Sequence, residues 1–142
     1  MATFENTVMI ARPIEDVFGF LCDLENIPKW NYAIVETRKI SKGPVGVGTT
    51  YQQVRSVPNR SEERLEITTY HPPHQLEIRG QLGPFASRLF YALDATPEGT
   101  RVTNTVELEL RGPARVLGRL AVPRVREAVA ANLRKLKELL EG

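Results

Sequence analysis

The sequence predicts an α+β protein in which an antiparallel sheet is covered by one long C-terminal helix. About seven segments show the alternation of apolar and polar residues typical of strands, and turns of a few residues rich in Gly and Pro separate most of them. Such short connections favour antiparallel neighbours. The C-terminal segment instead repeats apolar residues at helical spacing, which predicts an amphipathic helix long enough to cover the apolar face of the sheet.

The length and composition are those of one ordinary globular domain, residues 1–142. Of the 142 residues, 42% are hydrophobic and 25% are charged, which is enough apolar material for a real core. The single Cys22 excludes an internal disulfide and a clustered thiolate metal site. We see neither a signal-peptide pattern nor a long apolar run, so we expect a cytoplasmic protein without stable membrane insertion. The net charge of +2 is too small to indicate a nucleic-acid-binding protein.

The N-terminal elements are a strand and two short helical segments. Alternation over residues 4–11 predicts the strand, although Asn6 shares the parity of its apolar residues. A helix follows, because Pro13 suits the first helical position and acidic residues come next, at the positive end. A second helical segment over residues 23–30 is interrupted by Pro28. The apolar residues at helical spacing in the first helix are Ile14, Val17, Phe18 and Leu21.

Six further strands are predicted from residue 34 onward. Each is a run of strand length with turn residues at its ends. The predicted strands span residues 34–40, 49–57, 62–70, 75–80, 87–95 and 101–110. The turns between them contain the Gly and Pro residues of segments 42–48, 58–60, 71–74, 83–84 and 96–100.

The last predicted strand, RVTNTVELEL (101–110), carries one polar residue on its apolar face. Asn104 has the parity of the apolar residues on either side of it. Burying an amide without hydrogen-bond partners costs about 1–3 kcal/mol, so Asn104 must face either a partner or a wet cavity. The apolar residues of that face are Val102, Val106, Leu108 and Leu110.

The C-terminal helix follows a predicted break at Gly112 and Pro113. Residues 115–121 predict a first helical piece, and Pro123 either kinks the helix or begins its main body. Seven basic residues and three acidic ones follow Pro113, so the outer helix face is mildly basic. We expect that face to be solvated, with contact to an anionic lipid surface as the alternative. The predicted buried arc comprises Val125, Ala128, Val129, Asn132, Leu133, Leu136, Leu139 and Leu140.

The chain lacks the strong signatures of enzymes and metal sites. It has no P-loop, no G-x-S-x-G elbow, no H-E-x-x-H and no Cys pair. His71 and His74 flank two prolines at a predicted turn, and two imidazoles without a third ligand do not complete a metal site. Glu62 and Glu63 point to opposite faces of a strand, so at least one is expected to be a solvated charge. We therefore predict no metal and no cofactor, and a buried structural role for Cys22.

Polar side chains on inward strand faces predict a small-molecule pocket between sheet and helix. Strand 49–57 leaves two alternatives, and the face that holds the large aromatic Tyr51 is favoured over the opposite one. Trp30 is either a wall of the pocket or a plug at one end of the core. A core hydrogen-bond network, closed by a bond between Asn104 and Asn132, is the alternative to a pocket. The polar residues expected to converge are Tyr51, Gln53, Arg55, Tyr91, Asn104 and Asn132.

Four segments, taken in this order, resemble a known superfamily. They are VMIARPIEDVFGFLCDLENIPKW (8–30), GPVGVGTTY (43–51), EGTRVTNTVEL (98–108) and LRKLKELLE (133–141). Together they resemble the START-like, or SRPBCC, superfamily, particularly its polyketide cyclase/dehydrase-like members, over essentially the whole chain. The resemblance implies a Bet v 1-like helix-grip fold, in which a seven-stranded antiparallel sheet wraps around the long C-terminal helix and two short helices follow strand 1. It also implies a deep apolar cavity between sheet and helix.

The resemblance implies a range of functions. Similar proteins bind lipids, sterols, polyketides or other hydrophobic molecules, and some are cyclases or dehydratases. The superfamily has no universal catalytic residue to carry over to this sequence. Its iron–sulfur oxygenase branch would need a preceding Cys/His cluster domain, which this chain lacks.

We therefore predict binding of a hydrophobic or amphipathic small molecule, such as a lipid, sterol or polyketide-like compound, by a monomer or homodimer. The alternative is a metal-free polyketide cyclase or dehydratase, in which Tyr91, Tyr51 or Arg55 polarises a carbonyl. No inward His or clearly buried carboxylate presents itself as a general base, which favours binding over catalysis. A third class is an interaction partner without a ligand, such as a chaperone-like or membrane-associated adaptor that works through the basic outer face of the last helix. The predicted ligand-binding residues are Trp30, Tyr51, Gln53, Arg55, Tyr91, Leu93, Val102, Asn104, Val106, Val125, Val129, Asn132 and Leu133.

Overall fold

A computed structural model, which describes residues 2–82, 85–110, 112 and 114–142, contains one seven-stranded antiparallel sheet and a long C-terminal helix. The predicted helix-grip architecture is confirmed. The strands are β1 (Ala2–Ile10), β2 (Ile34–Lys39), β3 (Thr50–Arg55), β4 (Ser61–His71), β5 (Gln75–Leu82), β6 (Phe85–Thr96) and β7 (Gly99–Glu109). The helices are α1 (Ile14–Leu21), α2 (Ile27–Trp30) and α3 (Ala114–Glu141), with a 3₁₀ helix over Leu24–Asn26.

The strands from β2 to β7 lie side by side in chain order, and β1 forms the edge next to β7. Every neighbouring pair is antiparallel, as the short connections predict. The predicted turn between His71 and His74 joins β4 to β5, and the His74 backbone N–H donates to the His71 carbonyl at 2.8 Å. The predicted turn at residues 83–84 and the predicted break at Pro113 lie outside the described residues.

The short helices follow β1 as predicted, with two differences in detail. Pro13 is the N-cap residue of α1 rather than its first helical residue. Pro28 lies in the first turn of α2, where a missing N–H costs no helical hydrogen bond, so it does not interrupt that helix. The Asp23 carboxylate accepts a hydrogen bond from the Glu25 backbone N–H and caps the 3₁₀ helix. The four predicted apolar residues of α1 are all buried: Ile14, Val17, Phe18 and Leu21.

The long helix α3 is continuous through Pro123, and its two halves differ in burial. No described side chain between residues 115 and 131 is buried. The prediction that Leu139 belongs to the buried arc is wrong, because Leu139 lies near the edge of that arc and is 40% exposed. No helix in the described part of the chain is long and apolar enough to cross a membrane. The buried residues of the second half are Asn132, Leu133, Leu136 and Leu140.

Two apolar clusters fill the space between the sheet and the helices. The main cluster joins α1, α2 and the second half of α3 to the sheet. The second cluster comprises Phe4, Phe85, Val106, Leu108 and Leu110, and half-buried side chains of α3 between residues 122 and 129 pack against it. The second half of α3 is therefore anchored more firmly than the first.

Glu141 ties the C-terminal end of α3 to the end of β1. Its Oε2 accepts hydrogen bonds from Lys137 Nζ at 2.6 Å and from the Ala11 backbone N–H at 2.7 Å. These bonds, that of Lys137 first, lower the pKa of Glu141 below its ordinary value. Because the folded pKa is below the unfolded one, the stabilisation is present above the ordinary glutamate pKa. It is lost as the pH falls through the folded value.

We expect Glu141→Gln to lower the melting temperature at neutral pH and to have no effect in acid, where both forms of the side chain are neutral. Thermal unfolding of wild type and variant from acidic to neutral pH measures this. Glu138→Gln is the control, because Glu138 reaches Lys135 only at 4.0 Å on the exposed face of the same helix. A Glu141→Gln effect that persists in acid would contradict the account.

Candidate ligand-binding site

A small cavity of about 60 Å³ lies between the inner face of the sheet and the helices α2 and α3. Its wall is formed by side chains of β3 to β7 and of the two helices. Eight of the residues predicted to bind a ligand line it: Trp30, Gln53, Arg55, Tyr91, Asn104, Val129, Asn132 and Leu133. Six residues that the sequence did not single out complete the lining: Ile27, Asn31, Leu65, Ile78, Gln81 and Leu89.

The other five predicted residues lie outside the lining of this cavity. Tyr51, Leu93 and Val102 are buried in the main apolar cluster, while Val106 belongs to the second one and the half-buried Val125 packs against it. All five lie on the predicted inner face of the sheet or apolar arc of α3. Alternation along a strand determines the face of the sheet on which a side chain lies. It does not determine at which point along the strand the helices cross the sheet. The position of these residues relative to the cavity could therefore not be predicted.

A buried carboxylate, Glu63, accepts hydrogen bonds from two polar residues of the cavity lining, Gln53 and Arg55. β3 turns Gln53 and Arg55 inward, which is the favoured alternative for that strand, and Gln53 pairs directly with Glu63 of β4. Glu63 Oε1 accepts from Gln53 Nε2 at 2.8 Å, and Glu63 Oε2 accepts from Arg55 Nε at 2.9 Å. Ser61 Oγ also donates to Oε2, at 3.1 Å. Both carboxylate oxygens are therefore occupied by donors.

The expectation that no clearly buried carboxylate exists is wrong. Glu63 is 4% exposed, whereas its neighbour Glu62 is exposed on the opposite face of β4. The signal was present in the sequence, because Glu63 has the same parity as the buried Leu65 and Ile67. A charged residue on an inward parity calls for a partner of opposite charge on the neighbouring strand, and Arg55 is that partner.

Three residues of the lining each carry a polar atom that is buried without a hydrogen-bond partner among the described residues. These atoms are one donor, Trp30 Nε1, and two acceptors, Gln53 Oε1 and Asn104 Oδ1. An unsatisfied buried polar group costs about 1–3 kcal/mol. Such groups are rare in folded proteins and call for an explanation in each case.

Asn104 does not close the core by bonding to Asn132. Its Nδ2 donates to the Phe90 carbonyl of β6 at 3.3 Å, and no described residue donates to its Oδ1. No hydrogen bond joins Asn104 to Asn132 in the part of the chain that the structure describes. Both amides instead line the same cavity.

The two inward tyrosines are neutral phenols at physiological pH. Burial raises the pKa of Tyr91 well above its usual value. Burial, and then the nearby Asp23 carboxylate, raise the pKa of Tyr51 to about 12. Tyr91 lines the cavity, and none of the described residues occupies its hydroxyl, so it can donate to a molecule bound there.

The other candidate reactive groups are arranged as structural residues. Burial raises the pKa of the Cys22 thiol, which disfavours the nucleophilic thiolate. His74 Nδ1 lies 3.2 Å from the Leu93 carbonyl at the β4–β5 turn. Within the described residues, no group of three or more His, Cys, Asp and Glu side chains could hold a metal ion.

An antiparallel sheet closed by a long C-terminal helix over a small internal cavity defines a protein of the helix-grip class. The chain belongs to the family described as polyketide cyclase / dehydrase and lipid transport, whose model matches residues 1–141.

The chain is also similar to other proteins, and the solved structures among them share its fold. The chain is 29% identical over 145 residues to the uncharacterized protein Rv2574 of Mycobacterium tuberculosis, covering 98% of this chain and 84% of that protein. Among solved structures, TTHA0849 of Thermus thermophilus is similar with a TM-score of 0.75 and 22% identity, over 96% of this chain and 95% of that one. The di-domain ARO/CYC StfQ from the steffimycin biosynthetic pathway is similar with a TM-score of 0.80 and 15% identity. That match covers 98% of this chain and 50% of StfQ.

Proposed function

We propose that this protein binds a hydrophobic or amphipathic small molecule in the cavity between its sheet and α3. The observation that carries the proposal is a set of three buried polar atoms in a largely apolar wall that find no partner within the described part of the chain: Trp30 Nε1, Gln53 Oε1 and Asn104 Oδ1. A core closed only for stability gains nothing from such atoms, whereas a ligand would satisfy them. The apolar wall would supply contact area at about 25 cal/mol per Å² buried.

The cavity must widen to accept such a molecule. Its volume of about 60 Å³ is well below the roughly 300–1,000 Å³ of pockets that enclose drug-sized ligands. The first half of α3 is the element best suited to move, because none of its described side chains is buried, and its movement would open the cavity at the half-buried Val129, the first α3 residue of the lining. We infer that entry of a ligand requires this half of α3 to move away from the sheet.

A thermal-shift experiment with naphthol, a compact apolar molecule with one hydroxyl, tests this proposal. Binding to the folded state alone raises its stability by about 2.7 kcal/mol at a ligand concentration one hundred times Kd. We expect Val129→Phe, which fills the cavity, to weaken naphthol binding by a factor of about ten or more, equivalent to about 1.4 kcal/mol. Val116→Phe is the matched control on the exposed face of α3 and should bind normally. Equal effects of the two variants would contradict the proposal.

Catalysis in the same cavity is the second candidate function, and two hydrogen-bond donors that both line the cavity, the Tyr91 phenol and Arg55, favour it. The two side chains could donate hydrogen bonds to a carbonyl that gains negative charge. Glu63 does not act as a free base, because donors occupy both of its oxygens. Turnover of a polyketide-like substrate that is lost in Tyr91→Phe would favour this second function over binding alone.

A further inference from the structure

We propose that Glu63 makes the cavity select neutral ligands that carry a hydroxyl group and reject carboxylates. This inference rests on the proposed function, because it specifies the chemistry of the molecule that the same cavity would bind. Glu63 and its three donors, Gln53, Arg55 and Ser61, form the Glu63 cluster. Two independent features of this cluster carry the inference: the charge balance of the cavity wall and the orientation of the Gln53 amide.

The charges of Arg55 and Glu63 cancel, so the cavity wall at this point has no net charge. Arg55 is the only charged residue among the described residues that line the cavity, and a lone guanidinium would attract a carboxylate. Glu63 removes that attraction, because its carboxylate lies 2.9 Å from Arg55 Nε and is almost completely buried. A ligand carboxylate entering here would meet one positive and one negative charge. It would therefore lose its hydration without gaining a net ion pair.

The orientation of Gln53 is the second feature. An ionised carboxylate can only accept hydrogen bonds, so Glu63 must face the NH₂ group of the Gln53 amide. The Gln53 carbonyl oxygen is consequently turned away from Glu63, and none of the residues that the structure describes donates to it. Glu63 is thus a positioning residue that makes Gln53 present an acceptor.

The unpartnered atoms therefore favour a hydroxyl over a carboxylate. Gln53 Oε1 and Asn104 Oδ1 require a donor from the ligand, while Trp30 Nε1 requires an acceptor. A hydroxyl group both donates and accepts, whereas a carboxylate only accepts and would leave both amide oxygens unpaired.

Three probes that share one apolar ring system test the inference: naphthol, its methyl ether and naphthoate. Calorimetric titration at neutral pH compares a neutral donor, a neutral non-donor and an anion. We expect wild-type protein to bind naphthol at least about tenfold more tightly than either of the others, a difference of about 1.4 kcal/mol. Equal binding of naphthol and naphthoate would overturn the inference and leave the proposed function intact. Absence of binding by all three would overturn both.

Substitution of Glu63 tests whether this residue causes the preference for naphthol over naphthoate. Glu63→Gln leaves the Arg55 charge uncompensated and should shift the affinity ratio toward naphthoate by about tenfold or more. Glu62→Gln makes the same change of charge on the opposite face of β4 and should leave the ratio unchanged. The double variant Arg55→Met/Glu63→Met removes both charges but also frees the Gln53 amide to turn, so it should prefer naphthol less strongly than the wild type. This keeps the test valid if Glu63→Gln does not fold, because an unchanged preference would overturn the inference. A ratio that stays the same in Glu63→Gln would overturn the inference.

Discussion

Arg55→Met is expected to cost about 3–5 kcal/mol of folding free energy, because it leaves the Glu63 carboxylate buried without its cation. Gln53 and Ser61 would still donate hydrogen bonds to that carboxylate, but neither compensates its charge. Urea denaturation of wild type and variant measures the loss. The large size of the effect reflects the uncompensated charge that remains and not the net contribution of the ion pair.

Removing both charges separates the cost of an uncompensated Glu63 carboxylate from the net contribution of the Arg55–Glu63 ion pair. Arg55→Met/Glu63→Met is expected to recover most of the stability lost in the single variant, since apolar residues of similar volume often replace a buried ion pair without loss. Arg101→Met is the control on an ion pair at the surface, where Arg101 and Asp94 are 3.4 Å apart and both about half exposed. It should cost less than about 1 kcal/mol. Equal losses for Arg55→Met and Arg101→Met would show that the Glu63 cluster is not a buried charged site.

Leu133→Ala is expected to destabilise the protein by about 2–5 kcal/mol while enlarging the cavity. Leu133 is 2% exposed, belongs to the main apolar cluster and also lines the cavity. Its truncation removes buried apolar contacts from the anchored half of α3, and the space left behind adjoins the existing cavity. Leu139→Ala on the exposed side of the same helix should cost less than about 1 kcal/mol.

The same variant should bind a larger ligand. Hydroxyanthracene, which has one more ring than naphthol, is expected to stabilise Leu133→Ala more than it stabilises the wild type. Thermal shifts measured for both proteins with both probes check this expectation. A variant that loses stability but gains no response to the larger probe would indicate that the space closes by collapse of α3.

The architecture could be predicted from local patterns, because each element is encoded by its own period and its own turn residues. The short helix α1 is an example, since all four of its predicted apolar residues are buried. The edges of the buried stripe on α3 were less predictable. The apolar residue Leu139 belongs to the arc only by helical angle, and the sheet contacts a narrower stripe of α3 than that arc. The width of a contact depends on how two elements pack, which a single periodic segment does not encode.

The candidate site could be predicted only in part, for a related reason. Parity correctly assigned Gln53, Arg55 and Asn104 to the inner face. It could not predict that Tyr51 lies outside the cavity, because that depends on where α2 and α3 cross the sheet. Glu63 was overlooked because a charge normally indicates solvent exposure, and only the pairing of β3 with β4 brings it to its partner Arg55.

The side chain of Trp30 offers the most direct test of ligand binding in this cavity. It is the only tryptophan in the chain, so its indole N–H gives a single resonance in a nitrogen-edited NMR spectrum. Trp30 lines the cavity, and its Nε1 has no partner among the described residues. We predict that naphthol shifts this resonance saturably in the wild type and in Val116→Phe, but not in Val129→Phe. An indole resonance that stays in place up to the solubility limit of naphthol, or that shifts equally in all three proteins, would contradict binding in this cavity.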